Sequence, residues 1–251
     1  MNKIGFVHAP RTGGTYIESL LSSKGPEFFI NFFGTPENQK ENKISLIEKI
    51  SGDKKGQQKL LKIPNWETAQ IFSGHFSLNI SEYLPKEYHY EYITIIRNPV
   101  DRTYSFVKKI TTSKRFESVL SSGGQYTPKD LEFWDNFMQY YESSSSAGLA
   151  QHELNGFSNY MTKVYAGCDL GTTIVVDEDI YQRARENLKA FKYVGVFEDY
   201  ESVIKSFVDM FDLNVKYTIR NNSSKTTKPK KIKDFLQSIN SYDQMLYEEF
   251  K

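Results

Sequence analysis

The chain has 251 residues, 39% hydrophobic and 25% charged, a size and balance that suit one soluble domain spanning 1–251. A net charge of +1 supplies no global field for nucleic acid or for an anionic membrane surface. The single cysteine, Cys168, excludes an internal disulfide and a cysteine-rich metal centre, and the four histidines have no metal-ligand spacing, so no metal is expected.

In chain order, Ile4–His8 reads as an apolar strand. The loop Pro10-Arg11-Thr12-Gly13-Gly14-Thr15 follows, and a helix is predicted from about Thr15 to Ser23. This order builds an anion cradle. Gly13 and Gly14 let the backbone bend close to a ligand. The first N–H groups of the helix point at that ligand, and the helix dipole favours negative charge there. Arg11 adds a permanent charge in a fork that fits tetrahedral oxyanions. A nucleoside-triphosphate loop would read G-x-x-x-x-G-K-[ST]. No Gly-Lys-Ser/Thr occurs anywhere in the chain.

Residues 26–65 are mixed, with helical spacing over Ile44–Ile50 and an exposed turn over Ser51–Lys59. Ala69–Ser73 reads as a short strand ending at Gly74-His75. The β-branched run Ile93–Ile96 reads as a buried parallel strand with Arg97 at its carboxyl end. Pro99 is placed to start a helix, running from about Val100 past Ile110. Ser105 falls eight residues after Arg97, about two turns into that helix. Thr111–Thr127 reads as a substrate-side loop, and Lys129–Tyr141 as an amphipathic helix whose aromatics belong to a core rather than a sugar platform. Ser143–Ser146 reads as a flexible link. A helix at Gly156–Ala166, a strand at Thr172–Val176, a helix at Ile180–Ala190, a strand at Tyr193–Phe197 and a helix at Tyr200–Phe211 follow. Thr218–Lys231 reads as a basic loop, and Ile232–Phe250 as helical with a break near Asn240. Alternating strands and helices imply a central parallel sheet flanked by helices, an α/β three-layer fold. Its ligands bind where strands end. No leader pattern and no run of the ~18 apolar residues needed to cross a bilayer is visible, so a cytoplasmic protein without a membrane span is expected.

The loop at Pro10–Thr15 resembles the 5′-phosphosulfate loop of the PAPS-dependent sulfotransferases, and Arg97 with Ser105 resembles their 3′-phosphate motif. The resemblance leans toward the heparan sulfate and uronyl 2-O-sulfotransferase branch. It extends to Phe72-Ser-Gly-His75, to Asn159-Tyr-Met-Thr-Lys-Val-Tyr-Ala-Gly167, to Ala184–Glu198, to the basic loop Arg220–Pro229 and to the terminal helix Asp243–Phe250. It implies a P-loop-like fold and transfer of a sulfuryl group from 3′-phosphoadenosine 5′-phosphosulfate (PAPS) to an acceptor hydroxyl, on a saccharide in the nearest branch. It implies that Arg11, Thr12, Gly13, Gly14, Thr15 and Tyr16 hold the 5′-phosphosulfate, and that Arg97 and Ser105 hold the 3′-phosphate. Arg220, Lys225, Thr226 and Thr227 would close over the nucleotide. His75 would be the catalytic base. The family's loop usually carries lysine where this chain has Arg11, which keeps the charge but gives no ordinary proton donor.

His8 precedes the loop and is expected to be structural; His89 and His152 have no motif around them. Two other readings stand beside this one. A kinase-like phosphotransferase would need magnesium and an acidic metal ligand near the loop. A non-catalytic nucleotide or sulfated-glycan binder would hold the 3′,5′-bisphosphate without turnover.

Overall fold

The computed structural model describes residues 2–31, 65–111, 128–147, 156–170, 172, 174–214 and 228–251. β1 (Asn2–Val7) pairs in parallel with β3 (Ile71–Gly74) on one edge and with β4 (His89–Ile96) on the other. β2 (Phe29–Asn31) extends the sheet beyond β3, and β5 (Tyr193–Val196) extends it beyond β4. The order is β2-β3-β1-β4-β5, with every pairing parallel.

The strands are apolar on both faces because both faces are covered. Phe6, Ile71, Ile93 and Ile95 pack against Ile17, Leu20 and Leu21 of α1 (Gly14–Ser22) and Val203, Ile204 and Phe207 of α6 (Tyr200–Phe211). Val7, Phe72 and Ile96 turn the other way. They meet α4 (Tyr160–Tyr165), α5 (Glu178–Lys189) and α8 (Ser241–Phe250) through Met161, Val164, Ala184, Leu188 and Leu246. The result is the three-layer α/β fold expected from the alternation of elements. A further cluster joins α2 (Pro99–Thr111), α3 (Pro128–Ala147) and α7 (Lys230–Ser238), where Tyr104 stacks on Trp134 at 5.2 Å between ring centroids. Trp134 and Phe137 are core residues, as expected, but Leu131 is 43% exposed.

α4 and α8 lock each other. Asn159 has left-handed backbone (φ 42°), and its Oδ1 accepts from the backbone N–H groups of Tyr242 and Asp243 at 3.0 and 3.1 Å. In return, Asn240 Oδ1 accepts from Asn159 N–H at 2.9 Å. Asp243 accepts from Met161 N–H at 3.0 Å, and from Thr162 N–H and Thr162 Oγ1, each at 2.7 Å. Each helix start, rich in orphan donors, is capped by the other's side chains.

Several sequence expectations need correction. β2 was not expected. The helix expected from Gly156 begins only at Tyr160, because Asn159 breaks the helical backbone. The Ser143–Ser146 link is part of α3, which continues to Ala147; Ser143 Oγ donates back to Tyr140 O at 2.9 Å inside the helix. The strand expected at Thr172–Val176 is not formed over its described residues, 172 and 174–176. Val175 is 80% exposed there, β5 already occupies the free edge of β4, and Asp177 caps α5 by accepting from Ile180 N–H at 2.9 Å. The expected elements at Ile44–Ile50, Ser51–Lys59 and 112–127, and the loop residues Arg220, Lys225, Thr226 and Thr227, lie outside the described residues. Among the described residues, no helix is long and apolar enough to cross a membrane.

Candidate active site

Because the strands are parallel, their carboxyl ends share one edge of the sheet. The residues that leave those ends are His8 after β1, His75 after β3, Arg97 after β4 and Phe197 after β5. Strand order reverses at β1, which places a crevice at its carboxyl end.

The loop after β1 is tightly tied. Arg11 is held at φ 74° and Gly13 at φ 87°. Thr12 is fully buried, and its hydroxyl donates to Ala9 O at 2.7 Å, so it closes the loop rather than facing outward. Gly13 O accepts from Tyr200 Oη at 2.5 Å. A Cβ at Gly13 would lie 2.8 Å from both Phe197 and Tyr200, and one at Gly14 would lie 2.3 Å from the His8 ring. These glycines are therefore required by what packs behind the loop, a reason that its sequence does not reveal. Among the described residues no side-chain cap bonds the start of α1 at Gly13, which leaves the N–H groups of its first turn without a side-chain acceptor.

Arg11, Arg97 and Ser105 meet. Arg97 Nη1 donates to Arg11 O at 2.9 Å, and Arg11 Nε donates to Ser105 Oγ at 2.9 Å. The Arg97 guanidinium lies over the Phe197 ring, 4.3 Å from its centroid. Its Nε is buried without a hydrogen-bond partner, and among the described residues neither arginine has a carboxylate within ion-pair distance. Burial pulls Arg97 below the ordinary arginine pKa; Asp101 and Glu198 pull it back up, and Arg11 lowers it further. Two like charges are thus held together with donors to spare, an arrangement that an anion relieves.

Thr15 is exposed and Tyr16 half-buried beside them on the first turn of α1. Lys228 pairs with Asp101 and lies 4.9 Å from the Tyr104 ring centroid. With Asn98, Lys230 and Lys233 it lines a cleft of about 750 Å³ beside the end of β4. Arg102, four residues from Asn98, is not at the surface: it is fully buried and donates to Gly156 O at 2.9 Å.

His75 is partly buried. Its Nδ1–H donates to the His8 carbonyl at 2.6 Å, which leaves the lone pair on Nε2. Burial, then the neighbouring His8, bring its pKa down from 6.5 to about 4, so the imidazole is neutral at neutral pH. His8 is 3% exposed, as a structural residue would be, and its Nδ1 donates to Glu18 Oε1 at 3.0 Å. Ser73 Oγ donates to the same oxygen at 2.5 Å. Burial pushes the Glu18 carboxyl up, but His8 and Ser73 more than offset this, and the net shift is downward.

Sequence reasoning missed Glu18, Phe197 and Tyr200. Glu18 stands ten residues after His8, a spacing that means nothing until the loop folds back. Phe197 and Tyr200 come from the far side of the chain, and only the β4–β5 pairing brings them under the loop.

The sulfotransferase domain family matches residues 6–249, and the chain belongs to that family. Among solved structures, a sulfotransferase from Alicyclobacillus acidocaldarius is similar over 99% of this chain and 95% of its own, at 14% identity and a TM-score of 0.44. No curated protein matches the chain. The chemistry the family defines is transfer of a sulfuryl group.

Proposed function

We propose that the protein transfers the sulfuryl group of PAPS to an acceptor hydroxyl, on a saccharide, with His75 as base. The observation that carries this reading is the convergence of Arg11, Arg97 and Ser105 at one crevice, with the His75 imidazole leaving the adjacent strand. The donor has two anionic ends, and this crevice holds two guanidinium groups that, among the described residues, have no carboxylate within ion-pair distance.

Arg11 and the N–H groups of Gly14 and Thr15 at the start of α1 hold the 5′-phosphosulfate, with Tyr16 beside them, its own N–H donated to Gly13 O at 3.3 Å. Thr12 and Gly13 shape that loop. Arg97 and Ser105 hold the 3′-phosphate, and Lys225, Thr226, Thr227 and Arg220 close over the nucleotide. Transfer is in line: the bond between sulfur and the acceptor oxygen forms as the bond between sulfur and the bridging phosphate oxygen breaks. Arg11 stabilises the charge that accumulates on that leaving oxygen, the role a lysine fills in the usual loop. The acceptor proton passes to His75 Nε2. A base this weak takes it only as the new S–O bond forms, when the acceptor oxygen loses its own hold on the proton. ATP lacks a 3′-phosphate and leaves Arg97 uncompensated, so it binds poorly.

The test is a screen with sulfur-labelled donor against saccharides, phenols and simple alcohols. Transfer to a saccharide is expected, and His75→Ala reduces it by ~10²–10⁴-fold. A loss of less than about threefold removes His75 from the base role, and label on phenols alone removes the saccharide.

A further inference from the structure

His8, Glu18 and Ser73 have no task in the transfer described above, yet they form a buried polar cluster directly behind it. The His8 ring touches both halves of the site. Its Cδ2–Nε2 edge lies where a Cβ at Gly14 would be, 2.3–2.5 Å from that position, so the loop backbone rests on the ring. Its centroid lies 4.3 Å from that of His75, with the planes at 52°. The carbonyl of the same residue accepts the His75 Nδ1–H. On its far side the ring stacks parallel to Phe6 at 5.7 Å. Glu18 Oε1 fixes the rotation of the ring through Nδ1 at 3.0 Å, and Ser73, two residues before His75 on β3, fixes Glu18.

We propose that Glu18 and His8 are positioning residues: Glu18 holds the His8 ring as a wedge that sets the spacing between the anion loop and the His75 imidazole. The proposal rests on the reading of His75 as the base. Its physical ground is the choice of residues. A wedge needed only for stability is served by apolar side chains of similar volume, whereas a buried carboxylate and imidazole carry a desolvation penalty. The return is orientation. A hydrogen bond to Nδ1 fixes the ring's rotation, which apolar packing alone does not. Glu18 comes from α1, His8 from the end of β1 and Ser73 from β3, so one oxygen ties together the three elements that carry the loop and the base. In-line transfer needs both, because misplacement by about 1 Å costs ~10²-fold.

The experiment compares Glu18→Leu, Glu18→Gln and His75→Ala in the full chain. Sulfate release from labelled PAPS to water gives the rate, so no acceptor need be known. Calorimetry with adenosine 3′,5′-bisphosphate gives donor-site affinity. Glu18→Leu, which removes the acceptor for His8, is expected to lower the rate at least tenfold and leave bisphosphate affinity within threefold. Glu18→Gln keeps an oxygen for His8 and Ser73 and should stay within about threefold of the original rate. The proposal is overturned if Glu18→Leu keeps its rate, if Glu18→Gln falls as far as Glu18→Leu, or if affinity falls in step with rate. Should Glu18→Leu not fold, the His8→Ala/Glu18→Gln pair removes the wedge without leaving a buried charge alone, and must show the same loss of rate at unchanged affinity. An unchanged rate in His75→Ala contradicts the base assignment instead, a separate result read from a separate variant.

Discussion

Arg11 and His75 each show what a residue's type fixes and what only its surroundings fix. Pro10–Thr15 reads as an anion loop around Arg11, and the spacing of Arg97 and Ser105 reads as a second anion grip; in the structure it is Arg11 Nε that donates to Ser105 Oγ. That the two sites lie on neighbouring strand ends is part of the same reading; the direct contact, Arg97 Nη1 donating to Arg11 O, is not legible in the sequence, because it depends on the β1–β4 pairing and on the path of the loop. The state of His75 is likewise hidden. Histidine ordinarily titrates near 6.5, but burial and the adjacent His8 bring this one to about 4. If His75 is the base, kcat/KM stays flat as pH falls from 7 to 5 and declines only toward about 4, where the imidazole takes a proton of its own. An acid limb near 6.5 contradicts the assignment. The sign for stability is the same. A depressed folded pKa means that the unfolded chain binds the proton first, so this contribution is full above 6.5 and is lost as pH falls toward about 4. Gly14 offers a purely steric check. The methyl of Gly14→Ala meets a His8 ring pinned by Glu18, and overpacking of this kind costs about 1–3 kcal/mol, read as a lowered Tm. An unchanged Tm means that the ring is free to retreat.

Among the elements, strands covered on both faces are the ones most legible in the sequence. The runs Ile4–His8 and Ile93–Ile96 are continuous and apolar, and they became β1 and the buried end of β4. The same pattern misleads at 174–176, where the run lies exposed and leads into the Asp177 cap of α5, and it is too short to be seen at β2, which has three residues. Two stretches that look like separate signatures, Asn159–Gly167 and Asp243–Phe250, turn out to be one device. Their side chains cap each other's helices, and α4 in turn places Tyr165 Oη within 3.0 Å of Thr94 Oγ1 on β4. Asp243→Ala removes the acceptor for three hydrogen bonds and is expected to lower stability by about 3 kcal/mol. The midpoint of denaturant unfolding should fall with the slope unchanged. Asp243→Asn, which keeps a carbonyl oxygen, should lose less. Equal losses in the two variants contradict the capping role.

At the scale of the whole molecule, a parallel sheet gathers at one edge the loops that follow β1, β3, β4 and β5, and it brings together there residues as distant in sequence as Arg11, His75, Arg97 and Phe197. In the proposed reaction, two guanidinium groups and a helix start supply the positive charge for the donor. A chelator should therefore leave both binding of the bisphosphate and turnover unchanged, and a dependence on magnesium would favour a kinase-like reaction instead. The central claim is that one crevice clasps both ends of a doubly phosphorylated nucleotide, and calorimetry with adenosine 3′,5′-bisphosphate tests it most directly. Removing Arg97 takes away charge-assisted hydrogen bonds of about 1.5–3 kcal/mol, so Arg97→Ala should bind the bisphosphate roughly 10- to 150-fold more weakly while adenosine 5′-phosphate binds both proteins alike. Equal affinity for the bisphosphate in the two proteins would contradict the account.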